Sequence, residues 1–486
     1  MRFTDETVSR FHFHKKGTGD KENNRLLIAF AAPGTGKSRL AQSLPDALKT
    51  CGDPELETLA RNDTLTILIS FNGDTKYDEN FDKSASSSIG VRALASYFGF
   101  PWDVLMREPF VSKITLKMCL ETILKHHRRD FPEGAPETVL YLAVDDVGGI
   151  IPGALSGGDD KGEGLIFLKQ ITNSLGVLLI TSPPGCFFVS VLTGTIFVPV
   201  TDILRASSHP YAVLGVPLLP FDEVEALLSN RDIIDLPPEY LDAPEFLRLV
   251  ADIGGVPRVV EWFLEFLDKN AAGKPFETVL ISRARGHIEA AFSARFKMVS
   301  SHISAIVRTF ILRSPVDISH VVTPGSKLTY GDLEAMGSIF LEYDEFISKH
   351  VVVIPLIALQ SWNKQLPHGR FSNALHKLMM MLNNDKFTWQ NWEEFCVYYD
   401  ILLCSMHSQE DREGDGDGTV LLKDFYRGAL VSKDLKGLSL VLPRSHTYEV
   451  YKAKNRFPET RRGYKGTLEH ALGGNIILNA AGAVMP

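Results

Sequence analysis

The chain predicts an α/β fold, a parallel sheet sandwiched by helices, on three observations. Residues 31–38, Ala-Ala-Pro-Gly-Thr-Gly-Lys-Ser, form a glycine-rich loop directly behind the apolar run Leu26-Leu27-Ile28-Ala29-Phe30. Five apolar runs recur through the first half, each ending in polar residues or glycine, as strands buried on both faces do. One of them, 138–144, ends in Asp145-Asp146. At 486 residues the chain exceeds what one hydrophobic core accommodates, which predicts two to four domains.

Taken in order, the elements start with a strand at 26–30. The glycines behind it let the backbone curl until several N–H groups point inward, an anion-binding nest. Strand, loop and Lys-Ser-headed helix together are the P-loop arrangement for nucleotide phosphates. Ala31, Pro33, Gly34, Thr35, Gly36, Lys37, Ser38 and Arg39 are the expected binding residues. Lys37 is expected to reach the β- and γ-phosphates and to serve catalysis, and the Ser38 hydroxyl to ligate Mg²⁺. ATP and Mg²⁺ are therefore the expected cofactors. Ala31 stands where the motif begins with glycine, and its small side chain keeps the turn open. Residues 39–44 predict a helix whose N-terminal dipole faces the phosphates.

The β-branched run 64–71 predicts the second strand. Residues 114–127 have helical spacing, with Leu116, Leu120, Ile123 and Leu124 on one face, and the tail His126-His127-Arg128-Arg129 reads as a solvated cationic helix end. At the end of strand 138–144, Asp145 is the expected Mg²⁺ ligand and Asp146 the catalytic acid that polarises the attacking water. Residues 153–164 read as a flexible loop. Strand 187–192 ends in Thr193-Gly194-Thr195, where the Thr193 hydroxyl is either a sensor of the γ-phosphate or part of a plain turn. Arg205 reads as a surface arginine, and 211–220 as the last strand. The apolar stretch 177–200 is broken by Ser182-Pro183-Pro184-Gly185 and predicts two short strands rather than a membrane span.

Composition narrows the class. The net charge of −8 argues against a surface coated for nucleic acid while leaving room for a local basic patch. Cys51, Cys119, Cys186, Cys396 and Cys404 are scattered without a Cys-x-x-Cys pair, so neither a zinc site nor a disulfide framework is predicted. The N-terminus has no apolar signal core. An intracellular chain, cytoplasmic or nuclear, without a membrane partner is the expectation.

Residues 216–221, Val-Pro-Leu-Leu-Pro-Phe, lead into a helical stretch carrying Glu223 and Glu225, and 253–261 read Ile-Gly-Gly-Val-Pro-Arg-Val-Val-Glu. With the paired acids Asp145-Asp146, these segments resemble the closing elements of the STAND class of P-loop ATPases, signal-transducing relatives of the AAA proteins. The resemblance implies a Gly-x-Pro helix start, Gly255-Val256-Pro257, beside the nucleotide, with Pro257 and Arg258 among the binding residues. Within that class the chain, over residues 24–486, is similar to the Crinkler family of eukaryotic effectors and to trypanosomatid retrotransposon hot-spot proteins. Residues 187–195, the Gly-Gly-Val-Pro-Arg stretch, 424–429 and 473–483 carry the likeness. It implies an ATPase module followed by a restriction-endonuclease-like domain of the PD-(D/E)xK type, acting on host DNA in the nucleus after delivery into a host cell. The chain departs from that pattern twice. It shows no Leu-Phe-Leu-Ala-Lys type header, and it stops at Pro486, where the nuclease strands are expected to begin.

The expected layout is an N-terminal arm at 1–22, a P-loop NTPase core at 23–228, a helical Gly-x-Pro subdomain at 229–300, a winged-helix-like domain at 301–385 and an incomplete restriction-endonuclease-like α+β region at 386–486. Helical runs at 303–310 and 328–337 before an extended 351–355 suggest the winged helix, which is expected to pack as a moving lever. Glu393 and Glu394 open a helix at 389–404 as either a metal-binding or a solvated face. Residues 410–418 lack the closing glutamate of a calcium loop and read as a linker. In 451–465, Tyr451, Phe457 and Tyr464 alternate with Lys452, Lys454, Arg456, Arg461, Arg462 and Lys465, either a DNA contact or a solvated loop. The leading functional expectation is an ATP-driven switch that repositions the C-terminal half, with a protein partner or self-association left open. An ATP-gated DNA-binding or DNA-cleaving effector and a family copy that binds ATP without turnover are the alternatives.

Overall fold

In the computed structural model the five apolar runs become one parallel sheet: β1 (Leu26–Phe30), β2 (Thr64–Ser70), β3 (Thr138–Asp145), β4 (Cys186–Gly194) and β5 (Tyr211–Val213), in the order β2-β3-β4-β1-β5. The structure describes residues 2–17, 19–151, 162–195, 209–271, 274–275, 277–296, 302–344, 349–366, 370–382, 389–410, 419–421 and 439–441. The central strand β4 is buried at every position, and β3 at every position but its terminal Asp145. Edge strand β2 instead alternates, with Leu65, Ile67 and Ile69 inward and Leu68 exposed.

Parallel strands require crossovers, and helices supply them on both faces. Helices α1 (Arg2–Lys15), α2 (Lys37–Leu48) and α3 (Pro54–Asn62) cover Leu27, Ala29, Tyr141, Ala143, Phe187, Val189 and Val191. Helices α4 (Ala85–Phe98), α6 (Leu116–His127) and α7 (Gly162–Ile180), with the short α5 (Trp102–Met106) between the first two, cover the alternate residues Ile28, Phe30, Leu140, Leu142, Val144, Phe188 and Leu192. Residues within the expected N-terminal arm fold onto the sheet as α1: Arg10 is buried, donates to the Phe188 carbonyl and packs over the Phe187 ring at 5.1 Å.

Several local expectations need correcting. The stretch 177–200 does not make two strands, because 177–180 is the last turn of α7. Leu168, Ile171, Leu175, Leu178 and Leu179 recur at helical spacing and bury onto the sheet, so the helix runs on until Pro183-Pro184 ends it. Of the loop expected at 153–164, residues 162–164 belong to α7, and the remainder lies outside the described residues. Residues 163–180 are long and apolar enough by length and composition to cross a membrane, yet half of that span is buried within the fold, as a core helix is. The last strand stops at Val213 rather than 220, since Pro217 and Pro220 cannot donate to a ladder. The cationic tail of α6 is solvated only in part: His126 and Arg129 are exposed, while Arg128 donates to the carbonyls of Gly185, Ala135 and Pro136, and His127 Nε2 lies 2.8 Å from Asp63.

A second hydrophobic core joins described residues from Val224 to Met406, with members on both sides of 300 and 385. It unites the helices Phe221–Ser229, Pro244–Ile253, Pro257–Asn270, Thr278–Phe296, Ile303–Ile311, Tyr330–Ala335, Leu356–Asn363, Arg370–Leu382 and Trp389–Glu410 with the antiparallel hairpin β6 (Phe340–Asp344) and β7 (Lys349–Val353). Ala32 of the glycine-rich loop belongs to the same cluster, so the second core abuts the end of β1.

Candidate functional site

The site forms where β1, β3 and β4 end side by side at the carboxyl edge of the sheet, where open α/β folds place their ligands. Beyond Phe30 the loop turns on Gly34 (φ 81°) and Gly36 (φ 90°), left-handed conformations that residues with a β-carbon rarely adopt. Gly36 caps α2, so the N-terminal amides of that helix border the loop. Ala31 is anchored by its N–H to the Gly194 carbonyl (3.3 Å), and the Thr35 hydroxyl donates to the Ala32 carbonyl (2.8 Å). Pro33 is partly buried, and Arg39 is exposed on the first turn of α2.

Lys37 is buried and folds back on the loop, donating to the carbonyls of Ala31 (2.9 Å) and Ala32 (2.7 Å). Burial lowers its ammonium to about 8, against the attraction of Asp146, Asp145 and Glu334. The Asp145 carboxylate is held by two hydroxyls: Ser38 donates to Oδ2 at 2.7 Å, and Thr193 donates to Oδ1. Thr193 thus contacts the acid of the neighbouring strand, because β4 lies between β1 and β3. Asp146 adopts φ 52°, ψ 46°, a left-handed conformation that costs about 1 kcal/mol and ends the strand abruptly. Burial raises its carboxyl above the ordinary range, Asp145 raises it further, and Lys37 opposes both.

The helix Pro257–Asn270 presses its first turn on the loop. The Arg258 N–H donates to the Gly34 carbonyl (2.9 Å), and a β-carbon at Gly34 would lie 2.6 Å from that of Arg258. The Pro257 ring lies 3.7 Å from the β-carbon position of Gly36. Arg258 touches the loop through its backbone, while its guanidinium pairs with Glu261 at 3.1 Å on a half-exposed surface.

The residues fit a phosphate chain with a hard cation. Ser38 and Asp145 set two oxygens side by side beneath the loop, and Mg²⁺ takes one or two protein oxygens with phosphate and water for the rest. Among the described residues no group of three or more His, Cys, Asp or Glu forms a metal cage, which such an ion does not need.

One residue of the site was not expected from the sequence. Glu334, in the short helix Tyr330–Ala335, is only 6% exposed and reaches the loop from the second core. It accepts from the Leu341 N–H (3.3 Å), and burial pushes its carboxyl up to about 8 against the pull of Lys37. Its flanks Leu333, Ala335 and Met336 gave little signal, since Asp332 and Glu342 nearby make the stretch read as an ordinary mixed helix and strand. Arg205, 411–418, 424–429, 451–465 and 473–483 lie outside the described residues, as does the Glu393 side chain; Glu394 is exposed on the helix Trp389–Glu410.

No known protein family and no curated protein matches this chain. The site's own chemistry carries the argument.

Proposed function

We propose that the chain is a P-loop nucleotide switch that binds ATP with Mg²⁺ and hydrolyses it. The observation that carries the reading is the convergence of Lys37, Ser38, Asp145, Asp146 and Thr193 beneath a loop whose turns demand Gly34 and Gly36. The loop amides and the α2 N-terminus face the phosphates, and Lys37 exchanges the Ala31 and Ala32 carbonyls for phosphate oxygens. Ser38 and Asp145 would hold a Mg²⁺ ion, which would neutralise charge on the phosphates. Thr193 keeps one Asp145 oxygen turned so that the other meets Ser38. Asp146, half-buried and with a raised pKa, accepts the proton of the attacking water.

The likeness to STAND ATPases and Crinkler effectors supports an output through the C-terminal half, with the helices and β6–β7 hairpin of residues 303–353 as a winged-helix lever. Within that reading, DNA is met through 451–465 in the nucleus, and a protein partner or self-association is the further output. Calorimetry tests the first step: Lys37→Ala abolishes ATP binding while the fold persists, because phosphate charge in the nest then lacks its cation. Wild-type affinity in that variant would remove the site.

A further inference from the structure

The turn that carries Asp146 is wedged from two sides. Phe71, the residue after β2, donates its N–H to the Asp145 carbonyl at 3.0 Å. Its own carbonyl lies so near Gly149 that a β-carbon there would stand 2.6 Å from it. Across the turn, Gly164 of α7 presses on the Ile150 carbonyl, where a β-carbon would come within 2.4 Å. Phe71 thus grips the chain on both sides of Asp146, and in so close-packed a place a shift of Phe71 is passed to the carboxylate. What holds Phe71 is Arg92 of α4. Its guanidinium lies between the rings of Phe71 (4.4 Å to the centroid) and Trp102 (4.2 Å). It donates to both Asp82 oxygens, at 2.6 and 3.0 Å, to the Ser88 hydroxyl and to the carbonyls of Thr75 and Lys76, so every N–H of the fork has an acceptor. Trp102 is tied in turn, its indole N–H donating to the Asp74 carbonyl at 2.7 Å.

Stability alone does not call for such a group. Arg92 and Asp82 are both buried, and a buried ion pair commonly stabilises no better than apolar side chains of the same volume. A planar cation with its donors in a rigid fork supplies what a leucine cannot, a single fixed position. Asp146 needs one, because it sits in a left-handed conformation and proton transfer demands a placed carboxylate. We propose that Arg92 is a positioning residue for hydrolysis: it braces Phe71, and through Phe71 fixes the turn that presents Asp146. Its hydrogen-bond partners are Asp82, Ser88, Thr75 and Lys76, none of them in the glycine-rich loop, so the brace bears on turnover and not on phosphate binding. The proposal rests on the reading of Asp146 as the base and adds the part of the fold that keeps that base in place.

The test combines calorimetric titration of Mg²⁺-ATP with phosphate release on the full chain. Turnover is expressed per binding site counted in the titration, so that misfolded protein drops out. Arg92→Lys keeps a charge for Asp82 but cannot lie flat between the rings or fill the same acceptors. Turnover should fall by about 100-fold, the cost of a misplacement of about 1 Å, while ATP affinity stays within about twofold. In the Asp146→Asn background the same substitution should cost nothing further, since the group it positions is already gone. Gly149→Ala reaches the turn from its other end and leaves the buried ion pair alone. Its methyl group forces the turn off the Phe71 carbonyl, with the same fall in turnover and the same affinity, and it serves where Arg92→Lys does not fold. Losses that multiply when Arg92→Lys and Asp146→Asn are combined overturn the proposal, because Arg92 then acts by another route. Wild-type turnover in Arg92→Lys or Gly149→Ala overturns it too, as does a fall in ATP affinity matching the fall in turnover. Wild-type turnover in Asp146→Asn, or none in the wild type, overturns the reading of Asp146 and the brace with it.

Discussion

Asp146 concentrates the chemistry of the site in one strained residue. Asparagine tolerates the left-handed region nearly as well as aspartate, so Asp146→Asn should fold and bind Mg²⁺-ATP normally. Its amide cannot take a proton, and phosphate release should fall by about 100-fold or more. Asp146→Gly relieves the backbone and should hold stability within about 1 kcal/mol in thermal melts while losing turnover just as fully. Wild-type phosphate release by either variant moves the base elsewhere. The pH dependence of stability carries a second residue-scale prediction. The folded Glu334 carboxyl titrates at about 8, above the ordinary glutamate range near 4.3, so the folded chain binds this proton more tightly than the unfolded one. Its contribution is full below about pH 4 and is lost as pH rises through about 8. Lys37 runs the other way, because a lowered folded pKa makes stability recover above about 8. The Glu334 loss is read by comparing wild type with Glu334→Gln, in which Lys37 also loses the attraction of Glu334. Denaturant midpoints at about pH 5 and about pH 8 should fall in the wild type relative to the variant.

Among the elements, the junction of Leu219 with Gly255 decides how the second core meets the sheet. A β-carbon on Gly255 would lie 1.8 Å from the Leu219 carbonyl oxygen, and Gly255 sits at φ 66°. Gly255→Ala should therefore lose about 2 kcal/mol or more in denaturant titration and weaken ATP binding, since it displaces the Pro257–Asn270 turn from Gly34. The elements themselves were unevenly legible in the sequence. All five strands announced themselves because strands buried on both faces are continuously apolar, and the glycine-rich loop and paired acids marked which ends face the site. Helix α7 was missed because its apolar positions merge with the following strand across Ser182-Pro183-Pro184, hiding the change of period. The place of β4 between β1 and β3, and with it the bond from Thr193 to Asp145, depends on pairing between distant segments that local pattern does not encode. Glu334 was hidden for the same reason, since its place near Lys37 brings together segments about 300 residues apart.

For the whole molecule, every residue assigned to the nucleotide site precedes residue 354, and among the described residues Met406 is the last member of the second core. A chain ending at residue 410 should keep ATP affinity within about twofold of the full length, a difference of about 0.4 kcal/mol. The same truncation removes 451–465, so salt-sensitive DNA binding should disappear with it, which titrations at several salt concentrations would show. DNA affinity surviving the truncation would exclude that basic segment as the contact.

The bond from Arg258 to Gly34 also sets a timetable for biogenesis. The glycine-rich loop leaves the ribosome about 220 residues before its partner, an interval of roughly 11–45 s at ordinary rates of translation. Strands β2 to β5, the last ending at Val213, all emerge within that interval. The sheet can therefore form around the loop before the Pro257–Asn270 helix arrives to press on it.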